Sequence, residues 1–142
     1  MAHNGYVTAP ADLANLEVAV TVLVRDDAGL LLMIPTGDGQ LGLPAGAQRA
    51  GESSCDAVRR VVSDTTGVHV EIVDLVGVRS DPELRTGDRQ MFSVYFLTRP
   101  LSGDLTAGEW VEPEGLCVND LAPSVRHCVE HALADRDTPF YA

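Results

Sequence analysis

The sequence predicts an α/β (mixed α+β) fold in which a mixed β-sheet is sandwiched between helices. Its 142 residues, 45% of them hydrophobic, suffice for one core and are too few for two ordinary ones. Apolar runs typical of strands alternate with two stretches of helical periodicity. No internal repeat, low-complexity tract or linker interrupts the chain. We therefore expect residues 1–142 to form one domain, with residues 1–16 as an N-terminal extension.

The first two strands are predicted near the amino terminus. Val18–Val24 (VAVTVLV) is β-branched and apolar, RDDAG supplies turn residues, and the apolar run resumes at Leu30–Ile34. This succession predicts a β-hairpin. The next twelve residues, PTGDGQLGLPAG, are rich in glycine and proline. They predict a loop, and an irregular segment of this length in a compact domain is more often functional than idle.

A helix is predicted from about Ser54 to Thr66. Ser53 followed by Asp56 is typical of a capping box, and Gly67 stands where a left-handed residue commonly ends a helix. Helical spacing predicts that its buried face consists of Cys55, Val58 and Val62.

The second half of the chain is predicted to form further strands and a final helix. VHVEIVDLVGV and QMFSVYFLT alternate as strands do, and RSDPELRTGDR between them is predicted to be a loop. A short strand is expected around Trp110. Pro123 is placed to open a helix that ends at about Ala134. The apolar stripe of this helix is predicted to consist of Val125, Cys128, Val129 and Leu133.

The charge and cysteine content restrict the partners. Acids outnumber bases by 21 to 10, so the field of the protein repels nucleic acid and anionic membrane surfaces. All basic residues are arginine, which offers paired donors to phosphate but no lysine for a Schiff base. The amino terminus lacks the pattern of a secretory signal, which predicts a cytoplasmic protein. Three widely spaced cysteines predict buried thiols rather than disulfides or a zinc site.

Gly46–Val68, GAQRAGESSCDAVRRVVSDTTGV, resembles the Nudix box of the Nudix hydrolase superfamily. That box has a glycine, five residues, a glutamate, seven residues, and then Arg-Glu-aliphatic-x-Glu-Glu-x-Gly-aliphatic. The glycine, glutamate and arginine fall without a gap on Gly46, Glu52 and Arg60. LGLPAGAQRAGES similarly resembles the usual Leu-Pro-Gly-Gly entry. The resemblance implies the Nudix fold over most of the chain.

Three positions depart from the box. Val61, Asp64 and Thr65 stand where the family has metal-binding glutamates, so only Asp64 keeps a carboxylate. A magnesium ion can bind through one or two carboxylates and substrate phosphates, so Asp64 with Glu52 and the Gly46 carbonyl can still form a weak site. Losing the usual ligands is expected to lower the rate by roughly a thousandfold or more.

The resemblance implies hydrolysis of a nucleoside diphosphate-linked substrate by Mg²⁺- or Mn²⁺-assisted attack of water. In this interpretation Glu52 is an acid/base or a ligand, Arg60 orients it, Asp64 is the principal remaining ligand and Gly46 a backbone ligand. The departures predict that this activity is weak or lost. The alternative is a catalytically inactive Nudix-fold module that binds a nucleotide-like ligand or a protein. Nudix proteins are often homodimers, so a homodimer is a further expectation.

Arginines and an acid outside the box are candidates for the same site. Arg79 and Arg89 are placed to meet a phosphate or carboxylate, or else to balance nearby acids as solvated charges. Glu109 either replaces a missing metal ligand or is one solvated acid among EWVEPE.

Two histidines and a tryptophan complete the candidates. His127 and His131 lie four residues apart, a helical spacing that allows two metal ligands, but no third ligand is evident. Trp110 either stacks on a base or belongs to the core or a sheet edge.

Overall fold

The computed structural model describes residues 16–86, 89–134 and 138–142, and the side chains of residues 81–89 lie outside this description. In chain order its strands and helices are β1 Leu16–Val24, β2 Leu31–Pro35, β3 Leu41–Gly42, β4 Ala45–Ala47, α1 Ser54–Thr66, β5 His69–Thr86, β6 Arg89–Ser102, β7 Glu109–Val111, α2 Arg126–Leu133 and β8 Phe140–Tyr141. Single 3₁₀ turns lie at Pro113–Gly115, Val118–Asp120 and Pro123–Val125.

The strands form two sheets. The larger sheet has the order β4-β1-β6-β5-β8 and is mixed, because β1 runs parallel to β6 and β5 parallel to β8. The smaller sheet, β3-β2-β7, is antiparallel. In the described part of the chain, neither helix is long and apolar enough to span a bilayer.

Two hydrophobic cores lie on opposite faces of β1. Val20, Val22 and Val24 pack with α1, whereas Leu23 packs with α2 and β2. Successive side chains of a strand point to opposite faces, so the period of two in β1 supplies both cores. The larger sheet therefore lies between α1 on one side and α2 on the other, and the smaller sheet contributes side chains to both cores. This arrangement confirms the predicted mixed sheet between helices.

The predicted hairpin of the first two strands is wrong. A tight turn does join them, since Arg25 and Leu31 form an isolated antiparallel backbone bridge, and the carboxylate of Asp26 accepts hydrogen bonds from the N–H groups of Ala28 and Leu30. Beyond this bridge the strands separate into different sheets. Turn residues determine the local chain reversal, whereas the partners of a buried strand depend on distant segments.

Two predicted loops contain strands. PTGDGQLGLPAG includes β3 and begins β4, which pair with β2 and β1. Most of RSDPELRTGDR extends β5 and β6 as a ribbon, with an irregularity between Ser80 and Arg85. Residues 87–88 of that segment lie outside the described residues. Proline and glycine predicted the interruptions but not the long-range pairing on either side of them.

Helix α1 has the predicted bounds and is capped by Ser53 and Gly67, but only one of the two bonds of the predicted capping box is described. The Ser53 hydroxyl accepts from the N–H of Asp56 at 3.1 Å, and Gly67, with φ of 83°, donates its N–H to the Ser63 carbonyl. The carboxylate of Asp56 pairs with Arg59 at 3.1 Å.

The predicted apolar face of α1 is partly wrong. Val58 and Val62 are fully buried, as expected, but Cys55 is exposed because the buried residues centre the apolar face of the helix away from it. Ala57 and Val61 are buried in its place.

The final helix begins as a 3₁₀ turn at Pro123–Val125 and continues as α2. Val125, Cys128 and Val129 are buried as predicted, but Leu133 in the last turn is 41% exposed. Cys117 is also exposed, so the prediction of buried thiols holds only for Cys128. Burial raises the pKa of the Cys128 thiol.

Candidate functional site

The centre of the candidate site is an ion pair between Glu52 and Arg60. Glu52 ends the loop that follows β4, and Arg60 lies in the second turn of α1. The Arg60 Nε donates to Glu52 Oε2 at 2.7 Å, and Arg60 Nη2 donates to Oε1 at 3.0 Å. The backbone N–H of Arg49 donates to the same Oε1 at 3.1 Å. Such paired donors hold a planar carboxylate in one orientation.

These contacts lower the pKa of Glu52 to about 2 from its ordinary value of 4.5. The largest cause is the hydrogen bond from Arg60, followed by the N–H of Arg49. Glu52 is therefore ionised at any physiological pH. A carboxylate with so low a pKa is a weak proton acceptor, because a general base works best with a pKa near the operating pH.

Side chains on both sides of the loop fix its path. Arg60 Nη2 also donates to the Ala47 carbonyl at 2.8 Å. Gln48 Nε2 donates to the Glu52 carbonyl at 2.8 Å, and the Ser54 hydroxyl donates to Gln48 Oε1 at 2.9 Å. Sequence reasoning missed Gln48, because an amide that bonds to the backbone of a loop leaves no periodic or motif signal.

Gly46 and Val61 lie directly against each other. Gly46 is in β4, opposite Val20 of β1, and a Cβ on Gly46 would lie 3.0 Å from a methyl group of Val61. Val61 is only 3% exposed and belongs to the core beneath α1. The structure thus brings together two of the positions that the resemblance assigns to metal binding. The side chain at one of them is apolar and offers no ligand.

The remaining carboxylate of the box positions stands apart from this contact. Asp64 is exposed on α1, while Thr65 beside it is half-buried. Its charge is a minor contribution to the raised pKa of Arg60, after the hydrogen bond to Glu52. Among the described residues, no three acidic, histidine or cysteine side chains form a group that would hold a metal ion. Of the three box positions that the resemblance assigns to metal-binding glutamates, only Asp64 offers a divalent ion a carboxylate.

The candidates outside the box occupy the sheets. Glu109 is the exposed first residue of β7, opposite Met33. Arg79 lies opposite Ser93 and hydrogen-bonds to Tyr95, whose pKa is nevertheless raised by burial. Arg89 begins β6, and its side chain lies outside the described residues. Their roles in binding phosphate or metal stay predictions.

Trp110 lies on the edge strand of the smaller sheet, and its stacking on a base stays a prediction. It is partly buried in β7 and packs against the core beneath α1.

His127 and His131 both lie against the ring of Phe140. The centroid of the Phe140 ring lies 4.6 Å from the centroid of the His127 ring and 5.2 Å from the centroid of the His131 ring. The Nε2 atom of His131 also makes a 2.8 Å hydrogen bond with the carbonyl of Thr138. These contacts anchor β8 beside α2 and give both histidines a packing role.

Comparison with known proteins identifies the family. The model of the NUDIX domain matches residues 15–132, which is most of the chain. The chain belongs to the Nudix family. In this Nudix domain the box runs from β4 through α1 to Val68, the residue before β5.

Relatives of this Nudix domain include an ADP-ribose pyrophosphatase of Methanocaldococcus jannaschii, which is 30% identical over 95 residues. That match covers 65% of this chain and 56% of the archaeal protein, so the chain spans little more than half of that relative's length.

Solved structures support the fold. A NUDIX hydrolase from Nitrosomonas europaea has a TM-score of 0.74 at 18% identity, covering 90% of this chain and 77% of its own. A MutT protein from Bacillus halodurans has a TM-score of 0.70 at 21% identity, covering 89% and 87%. At these identities the likeness establishes the fold alone.

Proposed function

We propose that this Nudix domain binds a nucleoside diphosphate-linked small molecule and hydrolyses its phosphoanhydride slowly, at least roughly a thousandfold below the rate of a box with three glutamates. In the reaction, a water oxygen bonds to phosphorus and the bridging phosphorus–oxygen bond breaks. Family membership and the similarity to an ADP-ribose pyrophosphatase support this substrate class.

The contact between Val61 and Gly46 carries the proposal of slow hydrolysis. The side chain at position 61 lies beside the Gly46 backbone, where a metal-binding glutamate would be needed. In this protein that side chain is valine, which offers only methyl groups. Several charged oxygens of a diphosphate must be neutralised during cleavage, and a carboxylate-held divalent ion usually does this. Without that ligand, the protein contributes less to the neutralisation.

The remaining residues keep roles in binding. Arg60 and Glu52 hold the loop between β4 and α1 in one shape, which preserves the backbone that faces the ligand. Asp64 is left as the exposed carboxylate that can meet Mg²⁺ or Mn²⁺ arriving on the substrate phosphates. We therefore propose weak, substrate-dependent metal binding.

The second candidate is a binding module without hydrolysis. This candidate is favoured because both carboxylate oxygens of Glu52 accept hydrogen bonds from Arg60 and are therefore less available to bind a metal ion. Binding of the ligand would then be independent of divalent ions.

Calorimetric titration of Mg²⁺ and Mn²⁺, with and without ADP-ribose, tests the proposal together with an assay of ADP-ribose hydrolysis. Slow hydrolysis that is abolished by EDTA and raised by the double change Val61→Glu and Thr65→Glu would support the enzyme. Binding of ADP-ribose in EDTA without hydrolysis would support the binding module. Absence of both binding and hydrolysis would contradict this substrate class.

A further inference from the structure

A cavity of about 330 Å³ opens between the start of β1 and the loop before α1. It is lined by residues 16–18 and 48–52, which include the ion-paired Glu52. Cavities that bind small ligands begin at about 300 Å³, so this one is large enough for part of a dinucleotide-like molecule but not for all of it.

Arg49 supplies a positive charge to the lining of this cavity. Arg49 is exposed, and its guanidinium makes no hydrogen bond with the described residues, although its positive charge is one of the smaller causes of the lowered pKa of Glu52. Its backbone is fixed, because its N–H donates to Glu52 and its carbonyl accepts from the N–H of Glu52 at 3.1 Å. A free guanidinium on a fixed backbone is suited to a phosphate, which it can meet with two parallel donors.

Glu17 of β1 supplies a negative charge to the same lining. Glu17 lines the same cavity and likewise has no hydrogen bond or ion pair with the described part of the chain. Glu17 and Arg49 thus both line this space, and no described hydrogen bond or ion pair joins them. The third charge, Glu52, is already neutralised by Arg60 and does not repel an anion as strongly as a free carboxylate would.

Two opposite charges that line one cavity complement a ligand with two kinds of polar group. A carboxylate accepts hydrogen bonds from neighbouring sugar hydroxyls, as acidic residues do for ribose in dinucleotide-binding folds. We infer that this cavity binds a sugar phosphate group of the substrate, with Arg49 on the phosphate and Glu17 on the sugar hydroxyls. This inference rests on the proposed function and assigns one end of its substrate.

Binding of ribose 5-phosphate in EDTA tests the inference without any metal. The unmodified protein is expected to bind it, and Arg49→Gln is expected to weaken binding by about tenfold or more, because a charge-assisted contact is lost. Glu17→Gln is expected to weaken ribose 5-phosphate but not inorganic phosphate. Neither side chain makes a hydrogen bond or ion pair in the described part of the chain, so thermal unfolding of the variants at pH 7 should lie close to that of the unmodified protein.

Two exposed, ion-paired residues elsewhere serve as matched controls. Arg59→Gln and Glu71→Gln remove the same charges outside the cavity and should leave the affinity for ribose 5-phosphate unchanged. Equal affinity of Arg49→Gln and the unmodified protein, or no binding at all, would overturn the inference.

ADP-ribose separates this inference from the proposed function. Binding of ADP-ribose that is insensitive to Arg49→Gln and Glu17→Gln would remove the cavity assignment and leave the function standing. Arg49-dependent binding of ribose 5-phosphate without binding or hydrolysis of ADP-ribose would support the cavity and contradict the function.

Discussion

Arg60 makes three side-chain hydrogen bonds, two to Glu52 and one to the carbonyl of Ala47. Through them one side chain of α1 joins both ends of the preceding loop. The same guanidinium therefore serves the fold and the candidate site. The sequence motif predicted the pairing of Arg60 with Glu52, whereas the bond to Ala47 depends on where β4 places a carbonyl.

The difference in melting temperature between a Glu52 variant and the unmodified protein should depend on pH. The pKa of Glu52 is about 2 in the fold, below its ordinary 4.5, so the ion pair stabilises fully above about pH 4.5 and its effect is lost as the pH falls toward 2. Glu52→Gln should thus lower the melting temperature at pH 7 and show little difference near pH 2. Thermal unfolding from pH 7 to 2 measures this difference, and a constant difference would contradict the ion-pair explanation.

A carboxylate at position 61 should destabilise the protein unless a metal is present. Val61 is buried against Gly46, and burying an uncompensated polar group there should cost about 1–3 kcal/mol. Val61→Glu is therefore expected to lower the melting temperature in EDTA and to recover part of the loss in Mg²⁺. Val73→Glu adds the same charge at a site that is 54% exposed and should change neither value. Equal melting temperatures of Val61→Glu with and without Mg²⁺ would argue against a latent metal site.

At the scale of elements, α1 was predictable because its signals are local. Ser53 and Gly67 lie next to the residues that they cap, so their spacing alone gave both ends of the helix. The strand partners were not predictable in this way. β8 escaped prediction because Phe140 and Tyr141 form a strand only by pairing with β5, which lies about sixty residues earlier.

The docking of β8 should depend on Gly77. A Cβ on this residue would overlap the ring of Phe140, so Gly77→Ala is expected to destabilise by about 1–3 kcal/mol and to loosen β8. Hydrogen exchange should accelerate at Ala142, which donates to Val78, and at Ser80, which donates to Ala142. Gly115→Ala, where a Cβ would meet no atom within 4 Å, is the control. Unchanged exchange at both amides in Gly77→Ala would contradict the role of this contact.

For the whole molecule, the sequence predicted the layers but not the division into two sheets. Both β1 and β2 contain an uninterrupted run of buried apolar residues, so burial does not indicate that the two strands belong to different sheets. The candidate site was predictable where the box supplies residues, at Gly46, Glu52 and Arg60. The cavity was not, because Glu17 and Arg49 are ordinary surface charges until the fold brings β1 beside the loop.

Thiol labelling should report on global unfolding. Cys55 and Cys117 are exposed, whereas Cys128 is buried and the pKa of its thiol is raised. Two of the three thiols are therefore expected to react rapidly in the native protein, and the third only when the molecule unfolds. Cys55→Ser and Cys117→Ser should each remove one rapid equivalent. Rapid reaction of all three in the unmodified protein would contradict the packing around α2.

The parallel pairing of β1 with β6 also constrains the order of folding. Leu16 pairs with Gln90 and Val24 with Thr98, so the first described strand acquires this neighbour only after most of the chain exists. During synthesis on the ribosome, the apolar β1 remains unpaired with β6 until the intervening residues have emerged. Contacts so distant in sequence slow folding, because the entropy of closing the long loop is lost before the strands pair. The first half of the chain therefore has no route to a finished sheet by itself.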